Sequence, residues 1–296
     1  MQASETLNSL TPAPDPNTTA WRIWHDAAAG VWIDHFDGRW LIQTGKGSVP
    51  REILALAEGI ARSVYWRPRD KAAATAPEHL SGERISERFL VKENGASYLI
   101  DFAAGYSCGI FLDQRLNRRR VGDSLGPGRR FLNTFAYTGG FSVMAARAGA
   151  ITTTADLAKP YLEWTWENFA ANGLDRKEHF GCRGDVFDWL RTFARQGRTF
   201  DGIVLDPPTF SRNRGQRFRV TEDYADLAAL AAAVVTPGGW ILACANTHGW
   251  PTEAFARDLR KGIEKAGRSV AHLDFLPMPP EFHGDDYLKS AWLVVG

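Results

Sequence analysis

Asp206-Pro207-Pro208-Thr209-Phe210 closes the apolar run Phe200–Leu205, whose composition is that of a buried strand. Neither proline can donate to a ladder, and both hold φ near about −65°. The Asp206 carboxylate and the carbonyls after it are therefore fixed at the carboxyl edge of the strand, where open α/β sheets bind their ligands. A rigid acceptor followed by an aromatic ring suits a planar base: Asp206, Pro207 and Pro208 take its edge, and Phe210 packs on its face. Alone, the pentapeptide would also serve as an ordinary turn. The rest of the chain decides between the two.

Three further strand ends carry polar groups of the right kind. Asn133-Thr134-Phe135-Ala136-Tyr137-Thr138-Gly139-Gly140 links an apolar strand to a small-residue helix. Its glycines allow a close backbone approach at a helix amino terminus, where N–H groups point outward. The dinucleotide pattern Gly-x-Gly-x-x-Gly is absent, and a loop this bulky leaves little space for a pyrophosphate. Asp156 ends the next strand, placed to accept two ribose hydroxyls, and Asp185 follows the third, placed to accept from an adenine amino group. Either aspartate alone is a common helix cap; three acidic strand ends in succession point to a nucleotide-like ligand. Arg212, Arg214, Arg217 and Arg219 follow the Asp-Pro-Pro turn in a segment broken by Gly215, as a phosphate-bearing substrate would require.

These groups need a parallel sheet to hold them. From Phe131 onward, apolar runs alternate with helix-period segments. Strands are expected at Phe131–Phe135, Ile151–Ala155, Phe180–Arg183, Phe200–Leu205 and Trp240–Cys244, with Val270–Phe275 and Tyr287–Val295 as a closing antiparallel pair. Helices are expected near 139–148, 160–171, 186–195, 222–235 and 252–266. Upstream the texture changes to short strands at Trp21–Trp24, Val31–Phe36 and Trp40–Thr44, an amphipathic helix at Arg51–Ser63, and a hairpin across Asn94-Gly95. Five of the 11 tryptophans fall in the first 66 residues, as core or as stacking platforms. The organisation expected is a tail over 1–19, a small α+β domain over 20–110 and a seven-stranded Rossmann-like α/β domain over 111–296.

Composition sets the outer bounds. The 296 residues carry a net charge of +1, with 44% hydrophobic and 23% charged residues, so the chain is not a polycation and is expected to be an ordinary globular protein. No apolar run approaches the roughly 18 residues of a membrane span. Cys108, Cys182 and Cys244 have no metal-ligand spacing and cannot all pair, so no metal is expected and the cytoplasm is the compartment inferred.

The strand–loop–helix segment resembles the first motif of class I S-adenosylmethionine methyltransferases, with Phe135 and Tyr137 in place of two glycines. The wider chain resembles bacterial 23S ribosomal RNA large-subunit methyltransferases, the family that makes 5-methylcytosine or 7-methylguanine. The likeness rests on Ile33-Asp34-His35-Phe36-Asp37-Gly38, Glu93-Asn94-Gly95, Gly109–Arg118 with its Phe111-Leu112-Asp113-Gln114-Arg115, Asn133–Gly140, Asn168–Leu174, Asp206–Phe210 and Tyr287-Leu288-Lys289. It implies S-adenosylmethionine as cofactor, held by Gln114, Asn133, Phe135, Tyr137, Thr138, Gly139, Asp156, Asp185 and Asp206. It also implies an RNA partner, 23S rRNA or a precursor ribosomal particle, with the four arginines on its phosphates.

Two departures narrow the chemistry. Family members often begin with an RNA-binding PUA domain, for which the segment ahead of Thr19 has no room. The cytosine enzymes place a thiolate after the fifth strand to attack the ring; here Asn246 takes that position, and Cys244 lies two residues earlier. The guanine enzymes share the asparagine and the Asp-Pro-Pro-Thr-Phe-Ser run. The expectation is therefore methyl transfer to guanine N7, with Asp206, Pro207, Pro208, Phe210 and Asn246 around the base. The alternatives are cytosine-C5 transfer through Cys244, a noncatalytic RNA-binding assembly factor on the same scaffold and, weakest, a nicotinamide dehydrogenase.

Overall fold

In a computed structural model, residues 10–69, 76–105, 107–213, 216–282, 284 and 287–296 are described. The chain divides into two units: one runs to Arg115 and includes Pro280–Phe282, and the other holds Leu116–Pro279 and the carboxyl-terminal strand.

The first unit is built on a five-stranded sheet. β1 (Ala20–Asp26), β2 (Val31–Phe36) and β3 (Arg39–Thr44) form an antiparallel meander, with Asp37 and Gly38 both at positive φ as a tight primed turn requires. α1 (Arg51–Ile60) is a crossover that returns the chain parallel to β3 as β4 (Ser63–Pro68), and β5 (Glu78–Gly82) adds at the edge. The helix thus stops three residues short of Ser63. The run Ser63-Val64-Tyr65-Trp66, β-branched and aromatic, becomes a strand that the pattern did not announce. β6 (Phe89–Glu93) and β7 (Ala96–Ile100) form the hairpin expected across Asn94-Gly95. Trp24 and Trp40 join Ile23, Ile33, Ile42 and Val64 in the core, while Trp21 and Trp66 pack against it. These four tryptophans are packing residues.

In the second unit, α2 (Arg115–Asp123) leads into β8 (Arg130–Thr134), α3 (Gly140–Arg147), β9 (Ile151–Asp156), α4 (Lys159–Ala171) and β10 (Phe180–Arg183). α5 (Val186–Arg195) and β11 (Phe200–Leu205) follow, then a hairpin of β12 (Phe210–Asn213) and β13 (Gln216–Arg219). α6 (Val220–Ala232), β14 (Val235–Asn246), α7 (Thr252–Lys265), β15 (Val270–Leu276) and β16 (Leu288–Val295) complete the unit. The arginine-bearing segment after Asp206-Pro-Pro, a loop by its Gly215 in the sequence reading, forms this antiparallel ribbon over its described residues.

The seven-stranded sheet has the order β10-β9-β8-β11-β14-β16-β15, with β16 antiparallel to both of its neighbours. Ile203 and Leu205, alternate residues of β11, enter a core with Leu190 and Phe193 of α5, Leu227 of α6, and Phe255, Leu259 and Ile263 of α7. α3 and α4 pack on β8 and β9. Because the chain moves outward through β9 on one side of β8 and restarts at β11 on the other, the strand order reverses at β8. A crevice opens there at the carboxyl ends.

Candidate active site

The loop from β8 to α3 has a conformation unusual for its sequence. Phe135 and Tyr137 have φ of 52° and 50°, and Gly139 follows at 76°. Left-handed backbone costs an L-residue about 1–2 kcal/mol, so two bulky residues hold a path that glycines would follow freely. Side chains enforce it. The Tyr137 ring packs edge-on against Tyr161 at 4.6 Å and lies 6.3 Å from Trp164. Asn168 Nδ2 donates to the Thr138 carbonyl at 2.9 Å. Gly139 lies against Thr165 so closely that a Cβ there would stand 2.4 Å from Thr165 Cγ2. Below the loop, Asn133 donates to Ser142 Oγ at 3.0 Å, and Ser142 shares a hydrogen bond with Thr154 at 2.8 Å. Asn133 therefore ties β8 to α3 as a buried strut.

Asp156 ends β9 beside this loop. Its Oδ2 accepts the Tyr137 amide at 2.9 Å and its Oδ1 the Ala158 amide at 2.8 Å. The carboxylate keeps acceptor capacity for a ligand hydroxyl. Burial raises the Asp156 carboxyl above the ordinary carboxylate value, against the amides of Ala158, Tyr137 and Leu157, which pull it down. Leu157, half exposed directly after it, adds an apolar ledge. Asp185 is the N-cap of α5 and accepts the Phe187 amide at 2.8 Å. Its capping role is real, and one oxygen has that duty.

The ends of β11 and β14 form the other half. Pro207 is buried and Pro208 exposed, so the turn is anchored on one side and open on the other. The Thr209 hydroxyl donates to the Asn246 carbonyl at 2.6 Å, which fixes the Asp-Pro-Pro turn to the end of β14. Asn246 is exposed there, whereas Cys244 is fully buried, its sulfur 3.8 Å from Ser290 Oγ and 4.0 Å from Asn117 Nδ2. The Tyr224 hydroxyl reaches the carbonyls of Leu205 at 3.2 Å and Cys244 at 2.9 Å. Lys289 Nζ donates to the Thr247 carbonyl at 3.1 Å.

Asn133, Phe135, Tyr137, Thr138, Gly139, Asp156, Asp185, Asp206, Pro207, Pro208 and Asn246 thus all lie at or beneath the carboxyl edge of one sheet. Gln114 belongs to the first unit, where it is buried in a 3-10 turn. The backbone register sets Arg212 opposite Arg217 and Phe210 opposite Arg219. Arg219 is ion-paired with Glu222, and its amide donates to Asp223 at 2.7 Å. Arg214 lies outside the described residues. Thr165, Thr209 and Tyr224 are the parts that sequence reasoning missed; nothing in their spacing marks a contact with a loop or a neighbouring strand.

The donor set fits S-adenosylmethionine. It offers a carboxylate for ribose hydroxyls, an apolar ledge, and a helix start at Gly139 without a side-chain cap. Residues 48–291 match the family model for S-adenosylmethionine-dependent methyltransferases. A Bacillus subtilis protein, YwbD, provisionally named a ribosomal RNA large subunit methyltransferase, is 33% identical over 294 residues, covering 95% of this chain and 74% of that one. Ribosomal RNA large subunit methyltransferase K of Neisseria meningitidis is 34% identical over 211 residues, covering 66% of this chain and 59% of its own length. Among solved structures, SMU.776, provisionally assigned as a methyltransferase and crystallised with SAH, superposes with a TM-score of 0.85 at 30% identity, covering 99% of this chain and 82% of that one.

Proposed function

Since the chain belongs to the S-adenosylmethionine-dependent methyltransferase family, we propose that it methylates ribosomal RNA of the large subunit, at N7 of a guanine. The RNA class follows the names of its relatives. The choice of atom rests on one observation: the exposed residue at the end of β14 is Asn246, and the cysteine of that strand is buried two positions deeper.

Bound S-adenosylmethionine supplies a methyl group on a sulfonium centre, ready for an in-line displacement. Guanine N7 meets it with an in-plane lone pair, so no thiolate or strong base is required. In such a transfer an N–C bond would form as the S–C bond broke, and the positive charge would pass from sulfur to the purine. The protein's task is alignment and exclusion of water. Asp206 and the Pro207 carbonyl accept from the base edge, Asn246 orients it, and Phe210 serves as the stacking residue. The base must leave its stack to reach them. Arg212, Arg214 and Arg217 hold phosphates, with Arg219 beside them; such contacts position the RNA without reading sequence. Gln114 remains a proposed cofactor contact, and this activity belongs in the cytoplasm.

The test is nucleoside mass spectrometry on unmodified 23S rRNA incubated with the protein and isotopically labelled S-adenosylmethionine. Labelled 7-methylguanosine is expected, and Asp206→Ala should slow its formation by about 100-fold, the cost of a misaligned reacting pair. Labelled 5-methylcytidine would refute the choice of base and return the chemistry to a thiol.

A further inference from the structure

We propose that α4 sets the geometry of the cofactor loop and that Asn168 is a positioning residue for S-adenosylmethionine. Tyr161, Trp164, Thr165 and Asn168 recur at intervals of three, one and three residues, which places them on one helix face. That face meets three consecutive loop residues. Tyr161 and Trp164 take the Tyr137 ring, Asn168 takes the Thr138 carbonyl at 2.9 Å, and Thr165 walls Gly139. Asn168 is fully buried, and its own carbonyl accepts from Asn172 Nδ2 at 2.7 Å.

A loop with glycines at positions 135 and 137 would follow this path without steric strain. Here the left-handed backbone of Phe135 and Tyr137 persists because its surroundings over-determine it. The loop in turn orients Asp156, since the Tyr137 amide donates to Oδ2. A continuous line of contacts therefore runs from the Asn168 amide through Thr138 and Tyr137 to the carboxylate that receives the ribose. Loss of the amide leaves a buried carbonyl without that donor and lets the strained loop relax away from its binding shape.

The inference rests on the cofactor reading of this site, so it is tested by titrating S-adenosylhomocysteine calorimetrically with no RNA present. Asn168→Ala and the near-isosteric Asn168→Asp, which turns an acceptor toward the Thr138 carbonyl, should each weaken binding at least about tenfold. Phe169→Leu is the control. Phe169 lies on the same helix and is fully buried, but it packs against Trp166 and His179. That variant should lower the melting temperature yet keep the affinity within about twofold, the limit taken for a site left unmoved. Should an Asn168 variant fail to fold, Asn168→Ser, which keeps a short donor, carries the same prediction in weaker form. Wild-type affinity in the folded Asn168 variants, or an equal loss in Phe169→Leu, would overturn the proposal. A wild-type protein that binds no S-adenosylhomocysteine would overturn the cofactor reading beneath it.

Discussion

Replacing Gly139 by alanine should damage the cofactor site by two separable routes. The backbone there has φ of 76°, where an L-residue is strained by about 1–2 kcal/mol. The added methyl would also stand 2.4, 2.7 and 2.9 Å from Cγ2, Oγ1 and Cβ of Thr165, and Thr165 is itself fully buried. Overpacking of this kind costs about 1–3 kcal/mol. The sum is about 2–5 kcal/mol, and at about 2–4 °C per kcal/mol for a unit of this size the melting temperature should fall by at least about 4 °C. Thr165→Ala removes the two nearest atoms but leaves the backbone strain untouched. In a double-mutant cycle followed by thermal denaturation, Gly139→Ala with Thr165→Ala should be less destabilised than the sum of the single variants by about 1 kcal/mol or more. Strict additivity would show that the wall does not limit position 139. A Gly139→Ala protein with native melting and native affinity for S-adenosylhomocysteine would refute the geometry of the loop outright.

Asp156 and Cys244 give two further predictions. Burial holds the Asp156 carboxyl above its ordinary value, so S-adenosylhomocysteine affinity should begin to fall at a higher pH than an ordinary aspartate would dictate. The stability of the free protein should move the other way. A carboxyl raised by folding contributes stability that is fully present below its unfolded value and lost as pH rises through its folded one. Binding that stays flat down to about pH 4, or a like pH dependence in Asp156→Asn, would contradict this. Cys244→Ala should leave methyl transfer at the native rate, because the thiol is sealed between Asn117 and Ser290. A covalent adduct between the parent protein and RNA, lost in that variant, would refute it.

What the sequence made legible was set by local patterning. Strand ends with acidic residues are visible because a strand-like run stops at a named residue, and Asp156 and Asp206 stand where such runs stop. The depth of Cys244 relative to Asn246 follows from counting along one strand. The closing antiparallel pair is visible from its short, proline-rich connection. Less visible was anything decided by distant residues. β4 is a strand because it pairs with β3 across a helix, and the arginine segment is a ribbon because Phe210 and Arg219 find each other in register. The bulk of Phe135 and Tyr137 suggests a loop with little space for a pyrophosphate. It did not reveal that both retain glycine-like backbone, since that depends on α4, whose Asn168 is 30 residues from Thr138. Asp185 shows the limit from the other side: one spacing suits a cap and a ligand acceptor alike, and the residue is observed as a cap.

An alignment mechanism demands that the two halves of the site keep their spacing without help from the substrate, and the buried polar groups of the second unit are arranged for that. Thr134 at the end of β8 donates to the Val204 carbonyl at 2.6 Å, which joins the cofactor strand to the Asp206 strand beyond their ladder bonds. Tyr224 reaches carbonyls on β11 and β14, and Thr209 closes the same gap from above. Burial raises the Tyr224 phenol well above its ordinary value, so its proton stays available as a donor throughout the working range. The hydroxyls of Thr134, Tyr224 and Thr209 each tie neighbouring strands at or near the end of their shared ladder, one or two positions before a candidate site residue. A sheet normally frays at its ends; this one is tied at three neighbouring strand ends, those of β8, β11 and β14. On the proposed reading, cofactor and base would be positioned by the same tied edge, which is the condition under which orientation alone can carry a methyl transfer.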